Sequence, residues 1–514
     1  MPLSLPASGA QTVVNYPHFQ NSIESATDSP VGQKGGVRMV SRRSILKVLG
    51  TLSAAGYLAT SRTAWAEVPK PKLPQRLLGR TGRWVTPLAL GGQASLQWTA
   101  PGIDAPDIIV RAVQLGVNYL DSANVYGPSQ MNYGEAFRRL HLVPGTPDYN
   151  APLRASLYIA SKTRERYGLG PSSQAATTPA ATAVSDLKRT LTQMFGDGKG
   201  YIPEGAYIDV IQMHAIQDME EVDQMYGGMA ERGGKMPDRI GSITAMLDYR
   251  DGTNYTGLNP DHKQYVRHIG ATGHFSSPVL MEVLRRDAGN NLDTLLVALN
   301  ANDKLYTSHE YNVLQLAMAR GMGVIAMKVF ADGVFYGKDP HFSRVPEDVI
   351  RSVGKPDKIS HEDLVRYTLS IPGVSCAVTG IGQIDRTKPE NDQLVTNLAS
   401  ATQDPASPAE RRRIENEMAQ RYGATTNYFQ LKQEGLVHPT EVKIDKVAGS
   451  DQVTVRWNTA IAATKPITAY EIKSNDKLLL SVPYRPQLTT DLLWASVPAG
   501  AVGDGKVTVT AREA

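Results

Sequence analysis

The sequence predicts an α/β protein: a closed parallel (β/α)8 barrel followed by a small all-β sandwich. Three observations predict it. Short apolar runs alternate with amphipathic helical patterns through the middle of the chain. Several of these runs end in a reactive side chain, as barrel strands do at their C-terminal mouth. After Gly435 the spacing of apolar residues changes to strict alternation, the period of β-strands. A length of 514 residues suggests about two or three domains, and an apolar share of 41% can fill their cores.

Residues 1–38 are polar and aperiodic, and are either disordered or precede a true start at Met39. Ser41-Arg42-Arg43-Ser44-Ile45-Leu46-Lys47 then opens a segment with paired arginines. A mildly apolar run reaches Thr60, and Ala64-Trp65-Ala66 is a small-x-small cleavage pattern before Glu67. That order is the order of an export signal, and it resembles the twin-arginine type. The apolar run is shorter than the ~20 residues of a membrane span, so contact with a membrane is expected only through an uncleaved signal. The expected destination is periplasmic or secreted. The resemblance to that route implies a protein that folds before export. The single cysteine, Cys376, excludes an intramolecular disulfide framework and a Cys-based zinc site. It lies in the apolar run Val374 to Val378 and reads as a small core hydrophobe. The net charge of +4 is spread without runs, which argues against nucleic acid as a partner. No metal is expected.

The expected domains are 1–66 (disordered start and signal), 67–435 (barrel) and 436–514 (sandwich). Paired turn glycines in Arg76-Leu-Leu-Gly-Arg-Thr-Gly82 precede a strand at Val85 to Leu90 that ends at Gly91-Gly92. Further strands are expected at Leu120, Leu157 to Ala160, Ile208 to Met213 and Ile269 to Thr272. The rest follow at Leu295 to Leu299, Val324 to Met327 and Ser375 to Thr379. Asp107 to Leu115 and Ser308 to Arg320 are the clearest helices, the second stopped by Gly321. The largest insertion, Ala215 to Lys263, is glycine-rich and is expected to shape the pocket. A charged helix near Ala409 to Arg421 is expected outside the barrel.

The stretch Gly116-Val-Asn-Tyr-Leu-Asp-Ser-Ala-Asn-Val-Tyr-Gly127 carries the chemistry. Its strand ends in the carboxylate Asp121, and the phenol Tyr126 follows five residues later in a loop closed by Gly127. Lys162 ends the next strand and His214 the one after it. The motif resembles that of the aldo-keto reductase family, whose fold is a TIM barrel. The resemblance covers roughly residues 74 to 402 and is strongest at these four residues. It implies an exported oxidoreductase that moves a hydride between NADP(H), with NAD(H) as the alternative, and a small aldehyde, ketone or alcohol. It assigns Tyr126 as proton donor, Lys162 as the cation lowering its pKa, Asp121 as the partner of Lys162, and His214 as orienting or relaying group. The roles are chemically coherent. A free phenol has a pKa near 10 and is a poor acid unless a cation stabilises its phenolate.

No G-x-G-x-x-G follows the first strand, so a Rossmann fold is not expected. The resemblance instead places the cofactor across the barrel mouth. It implies contacts from Thr272 and Gly273, which stand where the family has Ser-Asn, with His274 either in the pocket or at the helix start. Leu296 stands where the family has Gln, and Asn300 and Asn302 are the nearby polar groups. Phe330 is the nearest aromatic for the ring, and Gly333 and Gly380 lie on phosphate-side loops. Arg386 is the candidate for the 2′-phosphate, because a guanidinium binds phosphate bidentately. The family's closing Glu-Asn falls at Glu390-Asn391 or, if displaced, at Asn397.

In the C-terminal region Val453-Thr-Val-Arg-Trp457, Ala469-Tyr-Glu-Ile-Lys473, Leu478 to Val482 and Val507-Thr-Val-Thr510 alternate. This sandwich resembles a fibronectin type III or related immunoglobulin-like module. It reads as an attachment module for a polymer or protein partner, or as a structural cap. A second functional reading is a reductase-like barrel that retains nucleotide for binding or sensing. The departures at Leu296 and Gly273 favour that reading, and the complete tetrad favours the enzyme.

Overall fold

The computed structural model describes residues 73–169, 182–351, 359–432, 435–446, 449–502 and 505–514. The expected export signal lies outside these residues. Among the described residues, no helix is long and apolar enough to cross a membrane.

Eight parallel strands close into a barrel: β1 Leu88–Gly91, β2 Tyr119–Asp121, β3 Tyr158–Thr163, β4 Ile208–Met213, β5 Val266–Gly273, β6 Leu292–Ala298, β7 Gly323–Met327 and β8 Val374–Thr379. They lie in chain order around the ring, and β8 pairs with β1 through Val378 opposite Ala89. Almost every strand residue is buried, as expected where both faces of a parallel strand are covered. Inward-pointing Ala89, Tyr119, Tyr158, Ala160, Val210, Leu296, Ile325 and Cys376 fill the interior. Tyr119 and Tyr158 stack there with ring centroids 5.4 Å apart. Cys376 is fully buried and burial pushes its thiol up, so it acts as a hydrophobe. The outer faces of the strands and the apolar faces of the surrounding helices form the larger core.

A hairpin of Arg76–Leu77 against Trp84–Val85 closes the barrel floor, driving Leu78 and Val85 into the interior cluster. Val85 thus belongs to the hairpin, and β1 starts only after Pro87. The helix expected from Ser308 is shorter, Val313–Ala319. Asp303 accounts for the difference: it accepts bonds from the Ser308 hydroxyl and from the backbone N–H of His309 (3.1 Å), holding these residues in a turn. Gly321 follows at φ 66°, as a helix stop requires. The insertion between β4 and β5 also differs from expectation. It folds mainly as helices Met219–Met225 and Ser242–Asp251, and a short strand at Ile240–Gly241 pairs with Tyr167–Leu169. Helix Ser242–Asp251 packs against β5 as part of the outer ring.

After the helix Pro408–Tyr422 the chain returns across the barrel mouth through residues 423–432. Asn427 exchanges amide bonds with Asn300 (3.0 and 3.1 Å), Gln430 donates to Asp303 (2.7 Å), and Leu431 N–H donates to the Phe275 carbonyl (2.8 Å). Two antiparallel three-stranded sheets follow. One contains β9 Val442–Lys446, β10 Gln452–Trp457 and β13 Leu493–Pro498; the other contains β11 Ile467–Ser474, β12 Lys477–Pro483 and β14 Val507–Glu513. Val455, Trp457, Tyr470, Ile472, Val497 and Val509 make their shared core. Asn312 of the barrel ties this unit down, accepting from Ala462 N–H (2.8 Å) and donating to its carbonyl (3.2 Å).

Candidate active site

Parallel register carries the four expected catalytic residues to one rim. Asp121 is the last residue of β2 and lies opposite Ala160 of β3. Lys162 lies opposite Gln212 of β4, and His214 follows that strand directly. The Tyr126 loop is anchored rather than free. Asn124 binds the Lys162 carbonyl through both its backbone N–H and its side chain, each at 3.1 Å, while Arg189 donates to its Oδ1 (2.8 Å). The His214 backbone is held from both sides: its N–H donates to Thr163 O (2.8 Å), and its carbonyl accepts from Arg166 (2.7 Å). At Gly92 any side chain would strike the Asp121 carbonyl, 2.3 Å from an ideal Cβ, so glycine lets β1 close against the acid.

All four side chains are buried. Lys162 Nζ is in direct contact with Asp121 Oδ2 and donates to the Ser122 carbonyl (2.9 Å). The Tyr126 hydroxyl meets His214 Nε2 at 3.3 Å, and Lys162 Nζ lies 4.9 Å from the centre of the Tyr126 ring. Burial pushes the Tyr126 phenol well above its ordinary value, and Asp121 and Asp332 push it further; Arg164 is the cation that opposes them. The phenol therefore keeps its proton at neutral pH. Burial also drives His214 well below 6.5, helped by Lys162, so its ring is neutral. Burial raises Asp121 and lowers Lys162, and their contact opposes both shifts.

Two cavities meet at Tyr126 and Gln93. The first, about 150 Å³, runs from Gly91 and Asp121 past Leu296, Met327, Phe330 and Gly333 to Gly380, Gln393 and Asn397. The second, about 410 Å³, is lined by Gln97, Val125, Arg164, His214, Gln217, His274, Phe275, Phe342, Tyr428 and Phe429. The inserted segment 215–263 supplies only Ala215 and Gln217 to these walls. The loop after β7 supplies more, and it is strained: Lys328, Ala331 and Asp332 have φ of 61°, 47° and 59°. Asp332 clasps it, accepting from Lys328 (2.6 Å), Lys338 (2.7 Å) and the Tyr428 hydroxyl (2.7 Å). Those contacts hold its carboxyl down at about 2 despite burial.

The expected cofactor contacts divide between wall and scaffold. Phe330, Gly333 and Gly380 line the first cavity, and so does Leu296. Thr272 does not line either cavity; its hydroxyl accepts from Ala215 N–H (2.8 Å) and holds the turn after β4. Gly273 packs under Leu280, whose side chain would be 2.7 Å from an ideal Cβ. Asn300 lies in the buried amide pair with Asn427 and donates to the Lys328 carbonyl (3.0 Å). Arg386 is exposed and pairs with Asp107 (2.8 Å) on a neighbouring helix. Asn391 sits in an exposed turn, whereas the displaced alternative, Asn397, lines the first cavity. His274 lines the second, and burial lowers it to about 3. Sequence reasoning did not reach Arg164, Gln93, Phe342, Tyr428 or Phe429, and it met Asp332 only within the phosphate-side loop Ala331-Asp-Gly333. Only Arg164, two residues beyond Lys162, carried a local signal.

No curated protein matches the chain. Solved structures similar to it include an aldo-keto reductase from Bacillus halodurans in its apo form, at 18% identity and TM-score 0.41, covering 67% of this chain and 95% of that one. An aldo/keto reductase from Klebsiella pneumoniae in complex with NADP and acetate is 16% identical with a TM-score of 0.40, covering 66% and 94%. A Pseudomonas aeruginosa protein assigned to the aldo-keto reductases is 20% identical with a TM-score of 0.38, covering 64% and 94%. The family model described as "Aldo/keto reductase family" matches residues 87–350, just over half the chain and seven of its eight barrel strands. With the closed barrel and the rim geometry already in place, that match identifies the chain as a member of the aldo/keto reductase family.

Proposed function

We propose that this protein is an exported NADP(H)-dependent reductase of small aldehydes or ketones, or a dehydrogenase of the matching alcohols, with Tyr126 as proton donor. One observation carries the reading: Tyr126 lies in the wall shared by both cavities, in contact with His214 and beside the Asp121–Lys162 pair. A group held in the first cavity and a carbonyl held in the second would both touch it.

The first cavity fits a nicotinamide nucleotide in its chemistry. Thr379 Oγ1 and the Tyr336 hydroxyl line it, and both are buried with no hydrogen-bond partner among the described residues, so each offers a site to a polar ligand. Phe330 and Met327 supply apolar wall, and at Gly380 a side chain would strike Ala94, 2.3 Å from an ideal Cβ. When bound, the nicotinamide supplies the hydride. The chain supplies the remaining chemistry. Tyr126 and the neutral His214 hold the carbonyl oxygen, and the phenol donates its proton as negative charge develops there. Lys162, fixed by Asp121, sets a positive charge beneath the phenol ring to stabilise the phenolate that remains.

A fluorescence titration with NADPH and then NADH tests the cofactor. Saturable quenching by NADPH is expected, followed by turnover with a panel of carbonyls. Binding without turnover would favour the nucleotide-retaining sensor, and no binding of either nucleotide would reject both readings.

The paired arginines and the Ala64-Trp65-Ala66 pattern support export by a twin-arginine route, to the periplasm or beyond. The paired antiparallel sheets support a fibronectin type III-like module used for attachment to a polymer or protein. Cell fractionation checks both. The mature protein should begin near Glu67, and deletion of 436–514 should release it from the envelope fraction. An uncleaved cytoplasmic product would reject export, and unchanged retention would reject attachment.

A further inference from the structure

The second cavity contains a charge that the reduction does not require. Arg164 lines it together with Tyr126 and His214. Its neighbours in the chain are engaged. The Thr163 hydroxyl donates to Asp186 (2.6 Å), and the buried Arg166 pairs with Glu221 (3.1 Å) while donating to the His214 carbonyl. Other cations near the mouth have carboxylate partners: Lys162 has Asp121, and Lys328 and Lys338 share Asp332. Arg164 makes no hydrogen bond or ion pair with any described residue, and its Nε is buried without a partner. Arg164 is half-buried, so its guanidinium keeps free donors at the cavity, and such a group matches a carboxylate bidentately.

One side of the remaining wall is aromatic, while Gln93, Gln97 and Gln217 supply neutral polar groups elsewhere, and no side chain of the opposite charge lines the cavity among the described residues. Phe342 and Tyr428 meet edge to face with centroids 5.2 Å apart, Tyr428 and Phe429 likewise, and Phe275 and Phe342 stay 42% and 44% exposed at the rim. Such rings accommodate an apolar body between two polar ends. The cavity's volume of about 410 Å³ is that of a small-molecule site.

Resting on the reductase reading, we infer that the substrate is a carbonyl compound that also bears a carboxylate, its C=O at Tyr126 and His214, its apolar body against Phe342, Tyr428 and Phe429, and its carboxylate on Arg164. Arg164, Tyr126 and His214 line the same cavity, so one small molecule can reach all three. The reaction is the ordinary reduction: hydride to the carbonyl carbon, proton to its oxygen, and the carboxylate unchanged.

The test compares 4-carboxybenzaldehyde with its neutral methyl ester, using NADPH and the full exported chain. The ratio of kcat/KM for acid over ester should favour the acid. It should fall about 10- to 100-fold in Arg164→Gln, mainly through KM, as for loss of a hydrogen bond to a charged group. Arg164→Lys should recover part of it. A loss shared equally by acid and ester would overturn the proposal, because Arg164 would then act only through Tyr126. Calorimetry with benzoate separates this from the reductase reading. Benzoate binding that is lost in Arg164→Gln, in a protein that turns over neither substrate, would keep the anion site and reject the reductase. Equal benzoate binding by parent and variant would overturn the anion site.

Discussion

Tyr126→Phe should lower kcat by about 10²- to 10⁴-fold while leaving NADPH binding close to that of the parent, the usual span for loss of a positioned proton donor. The hydroxyl reaches only His214 among the described residues, so its removal leaves one nitrogen without a neutral bond (3.3 Å). That costs about 1 kcal/mol and spares the fold. The ring stays over Lys162, and the apolar packing of the loop is unchanged. Steady-state rates beside a nucleotide titration give the answer. Parental turnover in the variant would move the proton to another group, and lost nucleotide binding would mean that the hydroxyl shapes the first cavity.

Lys162→Met is expected to have the largest effect on stability. The substitution removes the cation from a carboxylate that is 4% exposed and whose Oδ1 has no partner among the described residues. Breaking a buried pair by deleting one member costs about 3–5 kcal/mol, because the remaining charge is stranded. The sign of the pH dependence follows. Burial raises Asp121 even with Lys162 present. Without Lys162, the folded state binds the carboxyl proton still more tightly than the unfolded chain, whose carboxyl has a pKa of about 3.9. Such a group favours the fold below the unfolded value and loses that contribution as pH climbs through the folded one. The deficit of the variant relative to the parent should be small near pH 4 and full near pH 8. Urea midpoints across that range measure it. A deficit that grows as pH falls would exclude a stranded Asp121 as its cause.

The barrel was legible in the sequence because its strands are short apolar runs ended by turns, and burial on both faces removes any need for alternation. The tetrad was legible because each member lies at or just beyond a strand end, where register alone brings it to the rim. The walls were not. Asn300 stands beside the mouth in sequence, yet its amide is bound to Asn427, 127 positions away. Arg386 is a loop cation, and Asp107 on a neighbouring helix claims it. The glycine-rich insertion suggested a pocket wall, but its apolar residues drive it into the helical ring. Phe342, Tyr428 and Phe429 converge only through tertiary contacts such as the Asp332 clasp, and neither spacing nor composition records such contacts.

The returning segment 423–432 also sets an order of assembly. All eight barrel strands leave the ribosome before Tyr428 and Phe429 do. The nascent chain can therefore gather every lining residue of its first cavity, the last being Asn397, before Tyr428 arrives to bind Asp332 and wall the second.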